Sequence, residues 1–191
     1  MSRASHVQLM SAYNSWMNQK LYQAAAALPA DELLRDRGAF FGSLLGTLNH
    51  LVVADTVWLK RFAAAPASSP GTSPALSPAA FAALAPVRAL EMPASLDAPL
   101  FDALAPMAAH REWLDGVITA WADALTDADL GSTLHYARMN GDTHAKPLFS
   151  VLMHFFNHQT HHRGQATTLL SQAGVDVGVT DLLALIPEIG A

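Results

Sequence analysis

Apolar residues recur at helical spacing in four long stretches of this chain. The first runs from about Ser5 to Leu28, with Leu9, Tyr13, Trp16, Met17, Leu21 and Ala24 on its stripe, and Pro29 stops it. The second runs from about Phe41 to Ala64 through Leu44, Leu45, Leu48, Leu51, Val52, Trp58, Leu59 and Phe62. Ser43 suits its N-cap, and Lys60 and Arg61 suit the negative end of its dipole. The third spans about Leu100 to Leu125, with Leu104, Met107, Ala108, Arg111, Leu114, Ile118 and Trp121 recurring, and Pro106 early in it allows a kink or a later start. The fourth begins at Pro147, a favourable first helical position, and runs to Gln172, with Gly174 as its stop.

The intervening segments read differently. Asp31 to Arg37 is a charged connector. Between Pro66 and Pro99 the chain carries seven prolines, with an exposed loop expected at Ser68–Pro74 and a short helix at Pro78–Ala85. A connection of that length can cross a whole bundle and let helices two and three run parallel. Ser132 to Arg138 alternates, and Asn140-Gly141 is a strong turn signal, so a small hairpin or extended flap is expected before the fourth helix. Asp181 to Ile186 reads as a short apolar turn. The expectation is an all-α four-helix bundle in one domain over residues 1–191, with a Pro-rich connection and a small hairpin or flap.

Composition narrows the function. Ala and Leu dominate an apolar content of 51%, which favours helices. The net charge is −5 and the eleven Lys and Arg form no basic stripe, so no nucleic-acid partner is expected. The first residues lack the apolar core of a secretory signal, and no window of about 20 apolar residues could span a bilayer, so a cytoplasmic protein with no membrane partner is expected. Cysteine is absent, which excludes disulfides, thiolate ligands and a nucleophilic thiol within the chain.

The fourth stretch concentrates the chemistry. Four of the nine histidines fall between residues 154 and 165. His154, His158 and His162 form a ladder, each rung turned by only about 40° and separated by about 6 Å along the axis. The outer rungs are about 12 Å apart, while metal–nitrogen bonds are about 2.0–2.1 Å, so one ion can use only one adjacent pair. Spacing does not say which. His50, mid-way along the second stretch among core positions, is the candidate third ligand from another helix. His6, His110, His135 and His144 lie outside the pattern and read as surface or flap residues. Asp55 lies on the far side of its helix from His50 and is expected to meet another segment, such as Arg163. Asn157 and Gln165 are placed to orient the ladder, and Tyr136 in the flap to cover it.

These residues also carry a resemblance. Asn157-His158-x-Thr160-x-His162-Arg163-Gly164-Gln165, Thr47-Leu48-Asn49-His50 with Asp55 and Trp58-Leu59, and Tyr13-Asn14-x-Trp16-x-Asn18 resemble the motifs of the DinB family. The resemblance covers most of the chain except residues 66–99. It implies a helical bundle, often dimeric, similar in fold to transferases and isomerases that use bacillithiol, mycothiol or glutathione. It implies His50, His158 and His162 as ligands of a divalent metal, zinc or nickel first, iron or manganese otherwise. Three imidazoles without a fourth protein ligand make an open site. The leading expectation is therefore a metal-dependent transferase acting with a low-molecular-weight thiol. A non-catalytic, metal-stabilised, stress-related dimer and a metal-dependent hydrolase are the alternatives.

Overall fold

A computed structural model describes residues 2–64 and 76–190. The loop expected at Ser68–Pro74 lies outside the described residues. Among the described residues there are eight α-helices, one 3-10 turn (Leu182–Leu185) and two strands. Four helices are long: α1 (Arg3–Ala25), α3 (Leu44–Ala63), α6 (Leu104–Ala124) and α8 (Leu148–Gln172). Four are short: α2 (Ala30–Leu34), α4 (Pro78–Ala83), α5 (Ala85–Arg88) and α7 (Asp127–Leu130). Strands β1 (Thr133–Ala137) and β2 (Thr143–Pro147) pair antiparallel between α7 and α8. No described helix is long and apolar enough to cross a membrane.

The all-α four-helix-bundle class is therefore corrected. The physical reason is the segment that alternates from Ser132 to Arg138. There the backbone satisfies its donors and acceptors across a ladder running from Thr133↔Pro147 to Ala137↔Thr143. Gly141, at φ +88°, supplies the left-handed residue that its turn requires. A second correction concerns Asp31 to Arg37. Its first four residues join Ala30 in α2 (Ala30–Leu34), because Leu33 buries itself under α3 while the charged side chains stay outside.

Local chemistry sets the ends of the long helices. Ser43 caps α3 by accepting from the Gly46 backbone N–H. Pro106 is accommodated in the first turn of α6, where a missing N–H costs no helical hydrogen bond. Gly174, at φ +79°, ends the path beyond α8.

Helix α1 packs against α6 and α8, and α3 packs against α8. Phe62 of α3 meets Trp121 of α6 at 4.8 Å between ring centres and Phe155 of α8 edge-on at 5.8 Å, all three fully buried. Rings in these offset and T-shaped arrangements add to the area they bury.

A buried polar network crosses the same core. Arg111 on α6 pairs with Asp55 on α3 at 2.5 Å and with Asp115 one turn along α6 at 2.9 Å. Asp115 also accepts from Asn14 and Asn18 of α1 at 2.9 and 3.0 Å. On α8, Gln159 donates to Asp55 at 2.9 Å, and Arg163 donates to Asn14. One network thus pins all four long helices. Asp55 does turn away from His50, but its cation is Arg111 rather than Arg163.

Candidate metal centre and its pocket

Helix α3 carries His50 and helix α8 carries His158 and His162, and the packing of these helices brings the three imidazoles together. One ring nitrogen of each lies within 4.8 Å of the others, a group that could hold a metal ion. His50 Nε2 is 3.3 Å from His158 Nε2, and His162 Nε2 is 3.1 Å from the same atom. Three nitrogens at about 2.05 Å from one tetrahedral ion stand about 3.3 Å apart. The two separations match that figure before any ion is considered.

Hydrogen bonds at the back of two rings choose the tautomer. His50 donates Nδ1–H to the Leu96 carbonyl at 2.8 Å, and a carbonyl can only accept. His162 donates Nδ1–H to Gln165 Oε1 at 2.7 Å. Each neutral ring is thereby left with a bare Nε2 lone pair aimed at His158. A single proton on His158 Nε2 can satisfy only one of the two. A cation between the three satisfies all of them, so the donor set fits a divalent ion.

Electrostatics keep the rings neutral. Burial lowers the His158 pKa to about 3, helped by repulsion from His162 and His50. Burial also lowers His50 against the opposing Leu96 hydrogen bond, and lowers His162 against the Gln165 bond. Neutral imidazole is the form that binds a metal.

The rest of the ladder stands apart. His154 is 6.0 Å from His158 between ring centres, against 4.4 Å for His158 and His162. Its ring points its edge at Trp58, 5.4 Å away. Gln165 occupies the orienting position expected of it. Asn157 is exposed and makes no contact with the three rings that would orient them.

Two contributors carry no signal in the sequence. Phe41 stacks flat on His50 at 4.0 Å and presents its edge to His162 at 5.5 Å, closing one side of the group. Leu96 acts through its backbone carbonyl, which any residue could supply. The turn before α3 brings Phe41 to His50, and the Pro-rich connection brings Leu96 there.

The other side opens into a pocket of about 820 Å³. His50 and His158 lie in its wall. From His50 the wall follows one face of α3 through Ala54, Val57, Trp58 and Arg61. From His158 it follows one face of α8 back through His154 and Val151. The hairpin closes the far end with Tyr136, Arg138 and Lys146. Tyr136 thus lines the pocket, its ring tilted against Trp58 at 5.3 Å.

No curated protein and no solved structure matches this chain. The family model described as "DinB family" matches residues 1–188. That span takes in both histidine-bearing helices, the hairpin and the buried network that holds them in register. The chain belongs to the DinB family.

Proposed function

We infer that this protein is a divalent-metal-dependent transferase that takes a low-molecular-weight thiol as cosubstrate, with His50, His158 and His162 as the metal ligands. The observation that carries the reading is that the three-histidine group opens, through His50 and His158, into the 820 Å³ pocket. A purely structural metal has no use for such an opening, since structural sites are closed by four protein ligands.

A divalent ion held there supplies the positive charge that keeps a thiol deprotonated near neutral pH. The chain has no cysteine, so the thiol must come from outside. Gln165 and the Leu96 carbonyl hold two imidazoles in the ligating tautomer, and Phe41 shields that side from water. Trp58 and Val57 offer an apolar wall to the body of a substrate. The hydrolase reading requires a carboxylate or histidine as base for the attacking water; no Asp or Glu lines the pocket, and His154 is the histidine there outside the ligand set. Zinc and nickel are favoured by three imidazoles, with iron or manganese next. A homodimer in a reducing compartment suits a cysteine-free member of this family.

Elemental analysis of the purified protein and of His158→Ala tests the site, and thiol transfer to a panel of electrophiles tests the activity. The reading expects about one metal per chain, lost in the variant together with transfer. Equal metal content in both proteins overturns the ligand assignment. Full metal without transfer to any electrophile overturns the activity.

A further inference from the structure

The pocket is electrostatically one-sided. The chain carries sixteen acids to eleven Lys and Arg, yet Arg61, Arg138 and Lys146 all line the pocket and no acid does. None of the three takes part in an ion pair among the described residues. Asp97, which acts on His50 through its charge, is exposed and outside the wall.

Geometry explains how the cations converge. Lys146 pairs with Leu134, and His144 with Tyr136, so these four share one face of the hairpin. Leu134 is buried, which identifies that face as the one toward the helices. Arg138 follows Tyr136 by two residues and continues the same side. Arg61 comes from α3 and is clamped over two rings, 4.7 Å from the Trp58 centre and 5.4 Å from Tyr136. A guanidinium held by its face keeps its edge N–H groups for another acceptor, and those groups match a carboxylate in pairs.

We propose that this pocket takes an organic carboxylate, its anionic group on Arg61, Arg138 and Lys146 and its apolar body along Trp58, with its far end reaching the three histidines. The proposal rests on the pocket being the substrate site. The carboxylate belongs either to the thiol or to the acceptor of the transfer. Arg61 is half-buried and contributes most, while the exposed Arg138 and Lys146 contribute a weaker, salt-sensitive share.

The test uses two matched pairs of probes, measured by calorimetry on zinc-loaded protein. One is 3-mercaptopropanoate against 3-mercaptopropanamide, the other 3-phenylpropanoate against 3-phenylpropanamide. The expected result is a preference of about tenfold or more for the acid in at least one pair. A preference in the thiol pair assigns the carboxylate to the thiol, and one in the phenyl pair assigns it to the acceptor. Arg61→Gln should erase most of the preference, and the surface variant Lys146→Gln should cut it about two- to threefold and lower its salt dependence. Equal affinity for acid and amide in both pairs, or no measurable binding at all, overturns the proposal. So does an acid preference that survives both variants, because the carboxylate then sits on the metal. Binding is read without turnover, so a protein that prefers acids but transfers no thiol refutes only the proposed activity.

Discussion

His162 donates its Nδ1–H to Gln165 one helical turn away, at 2.7 Å, and so presents a bare Nε2 to His158. Removing this acceptor leaves all three histidines in place but frees one ring to rotate or change tautomer. Gln165→Leu is expected to weaken metal binding by about 10–100-fold while metal content at saturation stays at one per chain. Competitive titration against a chelator reads this directly. Wild-type affinity in the variant would show that the bond orients nothing.

Gly46 lies inside α3, and a Cβ on it would stand 2.2 Å from the Phe41 carbonyl oxygen. That obstacle is backbone, so it cannot swing aside as a side chain would. Gly46→Ala should push the 39–43 segment outward, taking Phe41 off His50. A loss of about 1–3 kcal/mol in stability is expected, accompanied by weaker metal binding. A thermal melt with and without metal checks both effects, and an unchanged melting temperature refutes the clash.

Among the described residues, Arg111 is the cation that pairs with both buried carboxylates, Asp55 and Asp115. Arg111→Met keeps much of the volume but strands both acids. The expected cost is about 3–5 kcal/mol in urea unfolding. A loss under about 1 kcal/mol would mean that the acids find other partners or take up protons cheaply.

Asp129 ties two short helices together. It accepts from the Thr126 backbone at 2.8 Å and hydroxyl at 2.6 Å, and from the Ser77 backbone at 2.5 Å. Burial pushes its pKa up, but these bonds outweigh burial and hold it below the ordinary 3.8. A carboxyl with a depressed folded pKa stabilises the fold above its unfolded value, and that contribution is lost as pH falls through the folded one. Asp129→Asn should therefore cost about 1–2 kcal/mol at pH 7. The gap between the two proteins should narrow as the pH drops below 3.8. A gap independent of pH would assign the effect to packing instead of charge.

The four long helices were legible because each buries a stripe whose period is visible in the residue types. The histidine ladder was legible for the same reason, but its choice of rungs was not. Helical spacing treats His154 and His162 alike. The family motif pointed to His158 and His162, and in the structure the position of His50 across the helix pair separates the rungs, with Trp58 beside the His154 ring. Arg111 stood in an apolar stripe, but sequence does not say which acid lies opposite. Phe41 and Leu96 were hidden for a deeper reason. A stacked ring and a backbone carbonyl act through position, and neither residue type announces that role. The short helices α2, α5 and α7 were missed because four or five residues are too few to establish a period.

The hairpin between α7 and α8 carries Tyr136, Arg138 and Lys146 but none of the three clustered histidines. Its residues reach the pocket from outside the helical core, and its turn at Asn140-Gly141 is exposed. Substitutions or insertions there can reshape the mouth without disturbing the packing of α3 on α8. On the proposed reading the metal ligands and Arg61 belong to α3 and α8, while Arg138 and Lys146 add to the choice of substrate from a separable stretch of chain. Rewriting about fifteen hairpin residues would then retune the pocket while the three histidines and Arg61 stay in place.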